Sequence, residues 1–367
     1  MKVLTIAPVP FFVDRGTPIR ILKESLFLSR KGHSIDIATY HLGSSKEELG
    51  TGVKIHRIPP LLFWYKKTEA GPSWQKIILD FFLLIKVCCM MSFNKYDIIH
   101  AHLHEGVFLG WIIKKIFFWK KVKLIADFHG SLSGELRSHK FLKLELLKKF
   151  FVKLERFINN LGDFSIASSE ELGDLITSQG IKNKLRVILD GVDAEKYRDF
   201  CNKKSEIRRE LGVPDNKLVF VYSGSFVFNK GIDYLIDFID KNKQKNFFSE
   251  CFFIIAGSPL SEIDDFYARR QDLRRYVKII SPLSYADVAR VNSAGDLAID
   301  PKDKSVFQAS GKILEYMAAG LPVICWKKEN NIKYLEEGGF YIENNFSEEF
   351  SAFRAKSAEK FESLNFH

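Results

Sequence analysis

Several groups of residues in this chain have the types and spacings that chemistry uses. The run His100-Ala101-His102-Leu103-His104-Glu105-Gly106 carries histidines at alternate positions, and Asp127-Phe128-His129-Gly130-Ser131 sets another beside a Gly-Ser turn. Alternation along a strand would put His100, His102 and His104 on one face. H-x-H is a spacing that metal hydrolases use, with Asp127 and His129 as further ligands. The same residues also read as a polar strand end lining a cleft, with Glu105 capping a helix. His129 suits an imidazole aimed at a substrate hydroxyl, or a structural histidine.

Other runs suit anions. In Val13-Asp14-Arg15-Gly16-Thr17-Pro18-Ile19-Arg20, Gly16 lets backbone amides approach an anion at a helix start, although a plain turn reads equally well. Tyr222-Ser223-Gly224-Ser225 is a loop, and Lys230-Gly231 follows it at the start of the next helix, where a lysine neutralises phosphate. In Ser310-Gly311-Lys312-Ile313-Leu314-Glu315, Ser310 and Gly311 would open a helix whose free amides hold a diphosphate. Glu315 lies one turn further in, where a carboxylate accepts both hydroxyls of a ribose. There is no G-x-G-x-x-G, which argues against a dinucleotide cofactor.

These residues sit in a chain of 367 residues, 46% hydrophobic and 27% charged, with a formal net charge of +10. That balance excludes disordered, collagen-like and small disulfide-stapled classes. The most apolar stretch, Ile77 to Phe93, is broken by Asp80 and Lys86 and falls short of a membrane span. The N-terminus runs straight into Pro8 and Pro10, unlike a secretory signal. The five cysteines are scattered, without C-x-x-C spacing, and read as reduced thiols, so the expected location is cytoplasmic. Between Gly110 and Asn160 stand twelve Lys or Arg against four acids, interleaved with Phe117, Phe118, Trp119, Phe150 and Phe157. Basic residues from 114 to 156 among exposed aromatics suit an anionic membrane surface. A solvated helix face over a core is the plainer reading. Nucleic acid is not expected, because no recognition module accompanies the charge.

Short β-branched runs alternate with longer amphipathic ones throughout. Strands are expected at Val3–Ala7, Ile35–Thr39, Val53–Ile58, Ile98–Ala101, Lys123–Asp127, Phe164–Ala167 and Leu185–Leu189. A second series follows at Leu218–Tyr222, Phe252–Ala256, Val277–Ile280, Leu297–Ile299 and Pro322–Cys325, with helical periodicity between, as at Ile19–Lys31, Gln75–Met91 and Lys140–Asn159. Such alternation builds doubly wound parallel sheets, and two series imply two α/β domains joined through the polar stretch Asp193 to Asp215. Ligands of open α/β sheets bind at the carboxyl ends of strands, where the residues above fall.

At these residues the chain resembles the retaining glycosyltransferases of family 4. The match runs through Arg30-Lys31-Gly32-His33-Ser34-Ile35, Ile98–Gly106, Asp190-Gly191-Val192-Asp193, Lys230-Gly231 and Ser310–Val323, in order and spacing over nearly the whole chain. The resemblance implies the GT-B fold: two facing Rossmann-like domains, residues 1–193 for acceptor and 194–350 for a nucleotide-sugar donor. A C-terminal cross-over helix, short here, is expected over 351–367. It implies that Glu315 holds the donor ribose, Lys230 binds the diphosphate, Gly16 lies near the donor phosphates and His129 faces the transferred sugar. Gly224, Ser225, Ser310, Gly311 and Lys312 complete the donor side; Arg20, His100, His102 and His104 line the acceptor side or cleft. Two positions depart from the family pattern: Ser225 where many members have arginine, and Phe307 where the first of two glutamates would stand.

The activity this implies is transfer of a sugar, UDP-linked by preference, to a hydroxyl acceptor on a lipid-linked or surface-glycan precursor at the inner membrane face. Lys230 and the helix start at Ser310-Gly311 would stabilise the departing diphosphate, with no metal and no other cofactor. Rival readings are a non-catalytic nucleotide-sugar binder of the same fold, a histidine-rich metal-dependent hydrolase, and a nucleic-acid-binding protein.

Overall fold

The computed structural model describes residues 1–11, 16–43, 52–60, 62, 64–65, 73–138, 145–226, 231–242, 249–258, 260, 263–264, 271–302 and 311–344. The chain forms two compact units, and the change from the first to the second falls between Asp190 and Gly191.

The first unit holds strands β1 (Lys2–Ala7), β2 (Ser34–Thr39), β3 (Val53–Arg57), β4 (Ile98–His102), β5 (Lys123–Phe128), β6 (Phe164–Ala167) and β7 (Lys184–Val187). All pair in parallel in the order β3-β2-β1-β4-β5-β6-β7. Between them run α1 (Gly16–Arg30), α2 (Trp74–Phe93), α3 (Leu103–Ile116), α4 (Leu132–Ser138), α5 (Glu145–Asn159) and α6 (Glu170–Ser178). A sheet buried on both faces needs near-continuous apolar strands. Val3, Ala7, Ile35 and Ile37 pack with Ile21 of α1, while Leu4, Ile6, Ile99, Ala101 and Leu124 pack with α2 and α3. The helix expected as one piece over Lys140–Asn159 is α5 from Glu145 onward, preceded by a separate α4.

The second unit begins with α7 (Ala194–Cys201) and α8 (Lys204–Leu211), so the polar stretch read as a join is largely helical. Its sequence is polar because only a narrow stripe turns inward: Tyr197, Ile207 and the stem of Arg208 are buried. Strands β8 (Leu218–Ser225), β9 (Cys251–Ser258), β10 (Val277–Ile280), β11 (Leu297–Asp300), β12 (Val323–Trp326) and β13 (Gly339–Ile342) lie in the order β10-β9-β8-β11-β12-β13, again all parallel. Helices α9 (Ile232–Asn242), α10 (Val288–Ser293), α11 (Gly311–Ala318) and α12 (Glu329–Leu335) complete it. β13 is an addition to the expected set; with two glycines before Phe340-Tyr341-Ile342 it carries little strand signal of its own, and pairing with β12 supplies it. Helix α11 stops at Gly320, which takes φ +67° so that the Leu321 amide returns to the Tyr316 carbonyl at 3.0 Å, and the chain drops directly into β12.

Both sheets reverse strand order beside their first strand, between β1 and β4 and between β8 and β11. That is where open α/β sheets leave a crevice for ligands.

Candidate active site

In the first unit the switch point is filled by ionisable side chains. His100 and His102 lie two residues apart on β4, on the face covered by α1, with rings 4.2 Å apart. Across the ladder His102 pairs with Asp127 of β5. Asp127 Oδ2 is 3.3 Å from His100 Nε2 and 3.6 Å from His102 Nδ1. His129, two residues past Asp127, brings Nε2 to 3.1 Å from His102 Nδ1, so one imidazole donates to the other.

From α1, Arg20 enters the same cluster. Its Nη1 donates to Asp190 Oδ1 at 2.7 Å and its Nη2 to the Ile188 carbonyl at 2.9 Å; Nη2 also pairs with Glu24 Oε1 at 2.9 Å and lies 3.8 Å from Asp127 Oδ1. Arg20 thus ties α1 to the chain just beyond β7. It is a buried hub with most of its donors engaged.

Burial and charge divide the protonation states. Burial weighs against charge on His100, yet the hydrogen bond and charge of Asp127 raise its pKa. Burial and the neighbouring His100 drive His102 well below its usual value, and burial lowers His129 to about 4. Asp127 stays ionised despite complete burial, through His100, His129, His102 and Arg20. Burial and the Asp127 charge push Glu24 up to about 8, so it holds its proton near neutrality. The result is two neutral imidazoles beside a carboxylate–guanidinium–imidazole network.

Glu24, His100, His102 and Asp127 offer ligand atoms within 4.8 Å of one another, a set that could hold a metal ion. The Arg20 guanidinium already sits in that set, 2.9 Å from Glu24 and 3.8 Å from Asp127, and Glu24 keeps its proton near neutrality. A divalent ion there would face a fixed positive charge at close range, so the set fits a metal poorly.

His104 does not join this group. β4 ends at His102, Leu103 takes φ +62°, and α3 begins at once, which breaks the strand alternation expected to align all three histidines. Its ring lies against Phe128, 5.0 Å between centroids, and its Nε2 is 3.9 Å from Glu155 Oε1. Glu155 in turn accepts from the amides of Leu132 and Ser133, at the start of α4. Gly16 is the first residue of α1 and exposed; a Cβ there would meet nothing within 4 Å.

In the second unit the ends of β8, β9 and β11 meet the start of α11. Gly224 has φ +150° and packs so closely that a Cβ would come within 2.9 Å of Lys312 Cδ. Gly257 of β9 lies against the Gly224 carbonyl, where a Cβ would stand 1.7 Å from that oxygen. Lys312 Nζ is 3.1 Å from Asp300 Oδ1 at the end of β11 and 4.3 Å above the Tyr222 ring. The buried Tyr316 hydroxyl accepts from the Ser223 amide at 2.9 Å, fixing α11 to the end of β8. Gly231 packs on the Pro301 carbonyl, 2.0 Å from where a Cβ would be. Lys230, Ser310 and Phe307 lie outside the described residues, as does 351–367; Ser225 ends β8 and is half-buried.

Glu315 is not a bare carboxylate. Its Oε2 accepts from the Tyr197 hydroxyl and its Oε1 from the Tyr285 hydroxyl at 3.0 Å. Both tyrosines escaped sequence reasoning, since neither stands in a recognisable motif. The two tyrosines fix the orientation of the Glu315 carboxylate.

The family model described as Glycosyltransferase Family 4 matches residues 16–196, and that described as Glycosyl transferases group 1 matches residues 217–354. An uncharacterized glycosyltransferase of Methanocaldococcus jannaschii is 23% identical over 301 residues, 81% of this chain and 73% of that protein. The UDP-Gal:alpha-D-GlcNAc-diphosphoundecaprenol alpha-1,3-galactosyltransferase of Escherichia coli is 25% identical over 279 residues, 75% of this chain and 69% of that one. Among solved structures, sucrose-phosphate synthase from Thermosynechococcus elongatus aligns with a TM-score of 0.76 at 15% identity, covering 97% of this chain and 90% of that one. Anabaena HepE, in complex with UDP and glucose, aligns with a TM-score of 0.70 at 19% identity, covering 99% and 91%. Two doubly wound units in the expected order, matched in turn by the two family models, make this chain a glycosyltransferase of the family 4 type with the GT-B fold.

Proposed function

We propose that the second unit binds a UDP-sugar at the start of α11 and that transfer proceeds with retention and without a metal. The observation that carries this reading is the junction of Gly224, Lys312 and the first turn of α11 at the ends of β8 and β11. The glycine lets the Lys312 side chain lie against the end of β8, and the helix N-terminus and this lysine supply positive potential for a diphosphate. Glu315, oriented by Tyr197 and Tyr285, accepts from the ribose hydroxyls. The UDP-Gal in the name of the Escherichia coli relative and the UDP bound by Anabaena HepE support uridine as the base.

In the proposed reaction the bond from the anomeric carbon to the diphosphate breaks through an oxocarbenium-like state. The acceptor oxygen attacks from the same face, and its proton passes to the leaving phosphate oxygen. Lys230, Lys312 and the α11 amides stabilise the developing phosphate charge; removing one such donor costs ~10² or more in rate.

For the acceptor we favour a lipid-linked or surface-glycan precursor at the inner membrane face. The exposed basic residues Lys149, Lys153 and Arg156 on α5, interleaved with exposed Phe150 and Phe157, support it, as does the diphosphoundecaprenol named for the Escherichia coli relative.

Thermal unfolding with UDP, GDP, ADP and CMP, with and without EDTA, tests the donor reading. UDP at 100 times its dissociation constant should add about 2.7 kcal/mol, whether or not EDTA is present. Glu315→Ala should lose that shift, and Lys230→Ala should fold but lose turnover. Stabilisation that EDTA abolishes, or none by any nucleotide, would refute the proposal.

A further inference from the structure

Helix α2 carries apolar residues on two opposite faces. One face, Leu79, Leu83, Val87, Met90 and Met91, is buried in the first unit's core. The opposite face carries Trp74, Ile77, Phe81, Ile85, Cys89 and Phe93, which recur every three or four residues and are all exposed, Ile77 to 72% and Phe93 to 88%. An amphipathic helix over a core ordinarily turns polar residues outward. Here an apolar stripe about 30 Å long, at 1.5 Å per residue, faces outward instead.

The stripe is extended at its C-terminal end. Lys120 donates to the carbonyls of Met91 and Asn94, holding the 3-10 turn Phe118–Lys120 against the end of α2. That turn exposes Phe118 and Trp119, so an indole stands at each end of the stripe.

Charge narrows the choice of occupant. The charged residues of α2 are Lys76, Asp80 and Lys86. Asp80 faces inward, accepting from the Tyr40 hydroxyl at 2.6 Å, and burial with the nearby Glu105 pushes it up to about 7. The flanks of the stripe are therefore lysine only, with Lys115 and Lys121 exposed beside the aromatic turn. Two copies of the chain meeting here would bring these lysines together. A negatively charged lipid surface would instead satisfy both the apolar stripe and its lysines.

We infer that α2 lies in the plane of an anionic lipid surface, with Trp74, Ile77, Phe81, Ile85 and Phe93 entering the acyl boundary and the Phe118–Trp119 turn entering beside them. Among the described residues no helix is long and apolar enough to cross a membrane, and the inner face of α2 is committed to the core. The helix therefore rests on the bilayer. This deepens the lipid-acceptor reading above by naming the element that inserts.

Flotation of the full chain with vesicles of phosphatidylcholine plus phosphatidylglycerol, and of phosphatidylcholine alone, tests it. The wild type should float with the anionic vesicles, with a blue-shifted tryptophan emission. Ile77→Glu combined with Phe81→Glu should weaken binding about tenfold or more. Phe93→Asp, at a position too exposed to affect folding, should weaken it in the same direction, and both variants should keep the wild-type UDP shift. Wild-type binding that neither variant changes would overturn the role of α2 and leave the lipid-acceptor reading standing. Absence of wild-type binding would overturn both. A wild-type dimer made monomeric by the double variant, with vesicle binding unchanged, would assign the stripe to a second copy and also overturn the inference.

Discussion

At the scale of residues, the first unit's switch point works through opposed protonation preferences. Asp127 holds its charge through the hydrogen bond of His100 and the nearby Arg20 guanidinium, while His102 and His129 lose theirs to burial. His129 has a folded pKa of about 4, below the ~6.5 of an unfolded histidine. Between those values the unfolded chain binds a proton that the folded chain refuses, so the stability this group contributes is present above pH ~6.5 and lost as pH falls toward 4. Urea unfolding across that range should show a slope of up to ~1.4 kcal/mol per pH unit from this group. In His129→Gln that slope should disappear while contributions from other groups remain. Equal pH profiles for the two proteins would mean that His129 titrates normally.

The histidines, Asp127 and Glu315 were legible as residue types of interest. Their partners were not. Arg20 reaches Asp190 across 170 residues, and Tyr197 reaches Glu315 across 118. No local pattern encodes contacts of that span.

At the scale of elements, parallel strands were legible because each must be apolar on both faces, which leaves β-branched runs that stand out against amphipathic helices. What failed was local geometry at element ends. Alternation continued through His104 on paper, but Leu103 turns the chain through a left-handed conformation and places His104 in a helix. The polar segment after Asp193 looked like a linker because α7 and α8 bury only a few side chains each. The close packing of β8 on β9 makes a sharper claim. Gly257 has φ +159° and its missing Cβ lies 1.7 Å from the Gly224 carbonyl oxygen, a backbone atom that cannot move without disturbing the end of β8. Gly257→Ala should cost at least ~2 kcal/mol in unfolding free energy and weaken UDP binding with it. A variant of wild-type stability would show that the two strands can part without loss.

For the whole molecule, charge distribution is the feature that composition exposed and the fold organised. The formal net charge of +10 is concentrated in the first unit, and α5 turns Lys149, Lys153 and Arg156 outward with Phe150 and Phe157. Each lysine near an anionic surface contributes about 1 kcal/mol, an electrostatic term that salt screens. Lys149→Glu with Lys153→Glu should therefore weaken binding to anionic vesicles strongly at low salt and little at high salt. Loss of binding equal at both salts would assign these lysines to folding instead.

The sequence by itself determined the class: two runs of apolar strands, motifs in family order and an excess of basic residues are all properties of composition and local periodicity. Only the tertiary structure decided that Arg20 is a buried hub, that Glu315 is gripped by two tyrosines and that α2 turns an apolar face outward. Whether an apolar side chain is covered depends on what the rest of the chain packs against it. That is a property of distant segments meeting in space, and no single stretch of sequence contains it.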